Sequence, residues 1–165
     1  PKGDSMSALT SAQVWDVIGK NIFAVLGMVS AKNEARTAGI VYVTHNGKLY
    51  ISSQKDAWKT RHVANNPHVS LTIAIPKSVP FLPWIKVPAA TITFAGTAQV
   101  IAPKDADPDV RRLLFRDFAA DEAKLADASV IVVEPEGEFV TYGIGVSLME
   151  MRDTQKARGR VPVRA

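Results

Sequence analysis

The stretch ISSQKDAWKTRHVANNPHVSL, residues 51–71, sets two hydroxyls, two lysines, a tryptophan and an arginine between an apolar run and a proline stop. A strand ending in Ser52 and Ser53, followed by a helix capped by Asp56, gathers free backbone N–H groups at one place. Lys59 adds an ammonium in the first turn of that helix. Neutral hydroxyl donors, backbone donors and a compact positive charge together suit an anion, and a phosphate in particular. Asp56 opposes this, because its carboxylate sits beside the same anion unless capping bonds turn it away. The plainer alternative is a solvated helix start.

A second group lies in NEARTAGIVYV, where Arg36 opens a strand after a polar turn and could fork onto a phosphate. The Asn46–Gly47 pair predicts a tight hairpin joining residues 36–44 to 47–53, since both residues tolerate positive φ. As antiparallel neighbours, those strands would bring Arg36, far from the turn, close to Ser52 and Ser53. The small residues Thr37, Ala38 and Gly39 leave backbone open to a flat ring.

The elements that must position these groups follow from periodicity. Ser11 is read as the cap of AQVWDVIGK, a short amphipathic helix. NIFAVLGMVS, TAGIVYVTH, KLYISSQ and HVSLTIAI read as strands, the last preceded by a helix that Pro67 stops. PKSVPFLPWIKVP holds four prolines and reads as a loop, a cover for the barrel or subunit seam, or a lid built on Phe81, Leu82, Trp84 and Ile85. AATITFAGTAQVIA is a long strand with a bulge or bend expected at Gly96. Residues 107–126 read as one helix with Leu113, Leu114 and Phe118 on its packed side, before a final strand broken near Pro135–Gly137. The order predicts a mainly β domain: six antiparallel strands closed into a small barrel with flanking helices.

Bulk composition narrows the function. A chain of 165 residues is one domain by length and buries enough surface to fold without staples. It has no cysteine, which excludes disulfides, thiolate catalysis and cysteine-ligated metals within it. The net charge of +4 is the charge of residues 152–165, which hold five basic residues and one acid. A basic tail on a neutral body is therefore expected, and nucleic-acid binding is not. The most apolar run, Ile22 to Val29, is eight residues long, against about 20 for a membrane-spanning helix. No secretory signal is read at the start, so the expected location is cytoplasmic. Pro1–Ser5 read as a remnant ahead of a native Met6, with the domain over 6–151. His45, His62 and His68 lack a metal-ligand spacing, and neither a nucleophile elbow nor a three-glycine dinucleotide fingerprint is present.

Taken in order, ARTAGIVYV, GKLYISSQKDAWKTRHVANNPHVSL and ITFAGTAQVI resemble the pyridoxamine 5'-phosphate oxidase-like, flavin-binding split-barrel superfamily over about residues 14–101. The resemblance implies flavin mononucleotide (FMN), with Arg36 and Lys59 on its phosphate and Ser53 donating a hydroxyl. It implies that Thr37, Ala38, Gly39, Ile40 and Val41 run beside the isoalloxazine and ribityl chain, and that Ser52 borders the ring. Trp58 stands where the family oxidase often has a second basic residue, and Thr91 where it has a glutamine that reaches across a dimer interface. The C-terminal segment GIGVSLMEMRDTQKARGRVPVRA lacks the tryptophan and histidine of the vitamin B6 oxidases, which argues against that particular reaction.

The expectation is a homodimeric, FMN-dependent oxidoreductase acting on a small-molecule substrate, with a second subunit completing each cofactor cleft. Its rivals are a deazaflavin-dependent reductase in the same fold and a non-catalytic flavin- or haem-binding protein. For haem, His45, His62 and His68 are the axial candidates. No general acid or base stands out; Tyr42, Tyr142 and His62 are the candidates.

Overall fold

The computed structural model describes residues 8–165; the expected start at Met6 and the residues before it lie outside that range. Helix α1 (Ser11–Lys20) is capped by Thr10, not Ser11, because Thr10 and Gln13 bond reciprocally to each other's backbone N–H. Ser11 instead donates to the carbonyl of Val163, as does the Trp15 indole. Val14 and Ile18 from the same helix are fully buried.

Eight strands follow: β1 (Phe23–Val29), β2 (Ala35–Val41), β3 (Val43–His45), β4 (Lys48–Gln54), β5 (His68–Ile75), β6 (Ala90–Ile101), β7 (Ala128–Tyr142) and β8 (Arg158–Pro162). They form one antiparallel sheet in the order β2-β1-β5-β6-β7-β4-β3, with β8 also paired to β7. The sheet curls into a split barrel whose inner face carries Leu26, Ile40, Leu49, Ile51, Leu71, Ile73, Ile92, Ile131 and Phe139. Period-two alternation drives this, each strand presenting one apolar face to the common interior.

The Asn46–Gly47 turn forms as expected, with φ of 48° and 71° at its two residues. The long hairpin built on it does not. Only Val43, Thr44 and His45 pair with β4; at Tyr42 the chain leaves, and β2 pairs with β1 from Ala35↔Val29 to Val41↔Phe23. Tyr42 is 1% exposed, its N–H bonded to the Ile22 carbonyl and its hydroxyl donating to Ile18 at 2.7 Å. Burying that ring turns the strand and separates β2 from β4.

Three other expectations change. Residues 107–126 are α3 (Pro108–Phe115), a 3-10 turn and α4 (Glu122–Leu125), because Arg116 takes a positive φ of 49° and ends α3. Leu113 and Phe118 are consequently exposed. Gly96 is regularly paired with Pro135, and the irregularity lies opposite, at residues 137–139 of an otherwise continuous β7. Gly96 is required by close approach instead, since a Cβ there would sit 2.8 Å from the Glu134 carbonyl oxygen.

The stretch set apart in sequence as a basic tail is built into the sheet. It supplies α5 (Thr154–Ala157) and β8, and it buries Val161 and Val163 in the core. Its arginines at 158 and 160 occupy the exposed alternate positions of β8.

Burial of Tyr42 raises its phenol well above the ordinary value of 10.0. A folded-state value above the unfolded one stabilises the fold up to about pH 10, and that contribution is lost as pH climbs further. Tyr42→Phe removes the bond to Ile18 and is expected to cost about 1 kcal/mol at neutral pH. Urea melts should show that gap between wild type and variant closing above about pH 10, where the unfolded wild type ionises its Tyr42 phenol while the folded state keeps it neutral.

Candidate functional site

A split separates β2 from β4, the two strands that carry most of the sequence candidates. β2 is an edge strand, paired only with β1, so its other row of backbone N–H and C=O groups faces the gap. The β3–β4 pairing ends at Val43↔Tyr50, so that ladder does not extend to Val41 or Arg36. Ala57 is the N-cap of α2 (Trp58–Asn65), which packs against β1 and β6 and buries Thr60 and Val63. Arg36 is itself opposite Met28 on β1. Arg36 and the N-terminal turn of α2 thus lie on elements that are not hydrogen-bonded neighbours. The hairpin expected to bring Arg36 to Ser52 and Ser53 does not extend along β2.

Asp56 is not the cap. The chain enters α2 at Ala57 with no side-chain capping bond, because burying Thr60 and Val63 fixes where the first turn begins. The N-terminal donors of the eight-residue helix thus stay free of a carboxylate cap. Lys59 is half-buried and has no ion-pair partner among the described residues. Arg36 does have one: its guanidinium bonds Glu34 and, at 3.0 Å, the Ala35 carbonyl. An anion at Arg36 must compete with Glu34.

Ser53 differs from its expected role. Thr60 Oγ1 donates to the Gln54 carbonyl at 2.7 Å, so the 2.7 Å contact between Ser53 and Thr60 has Ser53 as donor. Its proton is spent inside the chain, leaving an acceptor. Ser52 is exposed on the other face of β4. Thr60 was missed in sequence because a mid-helix threonine gives no signal of its own; the pairing needs the β4–α2 link to fold back.

Along β2 the side chains divide. Arg36, Ala38 and Ile40 share one face; Arg36 is exposed and Ile40 is core, so only the backbone of Ile40 can meet a ligand. Thr37, Gly39 and Val41 share the outer face. The ring that lies against Gly39 is that of Phe23, 3.0 Å from where a Cβ would stand. The small residues therefore admit a side chain of the same protein on that face. Trp58 is 45% exposed and meets His62 edge-on, with ring centres 5.6 Å apart. Thr91, half-buried, pairs with Ala74 and Tyr142 at the opposite end of the sheet from Arg36.

The acid–base candidates narrow as well. Tyr42 is excluded by burial and by its bond to Ile18. Tyr142 donates to the Met151 carbonyl at 2.9 Å. His62 remains, beside Trp58. Among the described residues no group of histidine and acidic side chains is arranged to hold a metal, and no helix is long and apolar enough to cross a membrane. The four best-formed clefts of the described surface lie elsewhere, none of them lined by Arg36, Ser52, Ser53, Trp58 or Lys59. The split is open along one side of a single chain.

That geometry has known counterparts. The family model described as pyridoxamine 5'-phosphate oxidase matches residues 11–142, and the chain belongs to that family, within its split-barrel superfamily. No curated protein matches it in sequence. Among solved structures, a heme binding protein from Mycobacterium smegmatis superposes with a TM-score of 0.67 at 16% identity, covering 96% of this chain and 60% of that one. HutZ, the heme storage protein from Vibrio cholerae, gives 0.61 at 15% identity over 83% and 98% of the two chains. The General Stress Protein 26 from Bacillus anthracis gives 0.59 at 14% identity over 79% and 92%. At such identities the likeness is one of fold.

Proposed function

We propose that this chain is a cofactor-binding protein whose split holds FMN, with the phosphate at the N-terminal turn of α2 and the ring along the free edge of β2. The observation that carries the reading is an unpartnered Lys59 at an uncapped helix start, in a chain whose β2 edge is open. A phosphate there would gain backbone donors and an ammonium, and the β2 edge would offer alternating donors and acceptors to a flat heterocycle. Bound flavin would supply hydride chemistry of its own. This chain's residues would bind and orient the ring, and His62 is the acid–base candidate that burial and hydrogen bonding leave open.

The working unit is a homodimer. Phe23, Val25, Val41 and Val140 are exposed on the outer sheet face, and the loop over residues 76–89 adds Phe81 and Trp84 at the same end of the sheet. Exposed apolar residues clustered in this way mark an interface. Only a second copy could bring a Thr91 to a phosphate held at Arg36.

A second reading, haem binding without catalysis, is favoured by His62 beside an exposed Trp58. The two heme proteins of similar fold support it only as precedent for the fold.

Arg36→Ala and Lys59→Ala should each weaken FMN retention by about 1.5–3 kcal/mol, read by fluorescence quenching. Glu34→Gln should tighten it, because the guanidinium is released; unchanged affinity in all three variants removes the phosphate assignment. Phe23→Glu and Val41→Glu should convert a dimer to a monomer in sedimentation, and a wild-type monomer that retains FMN tightly contradicts the shared cleft. If haem is the ligand, added hemin should give a Soret shift that His62→Ala abolishes, while FMN leaves no visible-band change.

A further inference from the structure

A cleft of about 530 Å³ lies on the far side of the β4–α2 link, away from the split. Its rim carries Lys55 from that link, Lys104 from the 3-10 turn over Pro103–Asp105, and Arg111 from α3. Its walls are Ala102, Pro103, Ala119, Ala120, Leu125 and Ala126, and Glu122 is the one carboxylate lining it.

Three features make it more than a charged surface. None of the three cations has an ion-pair partner among the described residues, whereas the neighbouring Arg112 and Lys124 are paired with Asp109 and Asp121. The walls are apolar, and their size falls in the range of small-ligand sites. The elements that build it are separately fixed: the Lys55 N–H bonds the Asp127 carbonyl at 2.9 Å, Pro103 is buried, and Asp121 caps α4 through the Lys124 N–H. Three unopposed positive charges around a pre-formed apolar hollow leave an electrostatic deficit that a bound anion would fill.

We propose that this cleft binds a small amphiphilic dianion: a compact apolar body carrying either a phosphate or two carboxylates. The apolar portion rests on the alanine, proline and leucine walls, and the charged end faces Lys55, Lys104 and Arg111. Glu122 limits the affinity for the anion, and the three cations disfavour a cationic guest. The site is independent of what occupies the split.

The full-length, isotope-labelled protein is titrated with phenyl phosphate, phthalate, inorganic phosphate and benzyl alcohol and followed by amide NMR. Phenyl phosphate or phthalate should shift Lys55, Ala102, Lys104, Ala119, Ala120 and Ala126, and whichever binds tighter identifies the headgroup. Inorganic phosphate should bind at least tenfold more weakly, and benzyl alcohol should leave these amides unmoved. Lys104→Ala with Arg111→Ala should weaken binding at least tenfold, and Glu122→Gln should tighten it several-fold. Arg111 is half-buried, so if its variant loses spectral dispersion, Lys55→Ala with Lys104→Ala, both exposed, takes its place. Arg36→Ala should leave binding here unchanged. Shifts absent from the cleft, equal affinity for inorganic phosphate, or undiminished binding in the folded double variant would overturn the assignment.

Discussion

The structure turns on one buried ring. Tyr42 stands between β2 and β3, and its hydroxyl, bonded to the end of α1, anchors the point where the chain crosses from one edge of the sheet to the other. Had residues 36–44 stayed paired to β4, the barrel would be closed there and no backbone edge would be free. Sinking Tyr42 into the core satisfies its polar atom and removes a large aromatic area from water. It also opens the split. The core and the candidate site thus have a common origin in one residue.

Charge is distributed to match. Arg36 is held by Glu34 at the mouth of the split, a contact exposed enough to be exchanged for a stronger anion. Lys59 is left unpaired at the start of α2. The arginines of β8, by contrast, occupy the outer face of a strand whose inner positions secure the fold. The positive end of the sequence is therefore a structural strand with a charged exterior, and the net charge of +4 says little about a macromolecular partner.

The β4–α2 link joins the two regions where ligands are expected. On one side Ser53, Thr60 and Gln54 form a closed hydrogen-bond relay that stiffens the approach to Lys59. On the other, Lys55 points to the cleft formed with α3 and α4. Neighbouring residues of one short segment are thereby assigned to separate surfaces, as alternation at a strand end allows.

Much of the fold was legible. HVSLTIAI, bounded by Pro67, became β5 residue for residue, and Asn46–Gly47 made its turn, because both signals are local. The alternation of Gly159, Val161 and Val163 could have revealed β8, but dense arginine concealed it. The Ser53–Thr60 bond, the Glu34–Arg36 pair and the break at Tyr42 were not legible as site features. The sequence by itself determined which face of each strand is apolar, where turns and helices start within a residue or two, and which residue types could hold an anion. Tertiary structure alone decided that β2 leaves β4 at Tyr42 and keeps β1 as its one strand partner. Residue preferences act over a few positions, whereas strand partnership is settled by whichever closure buries the most apolar surface across the whole chain.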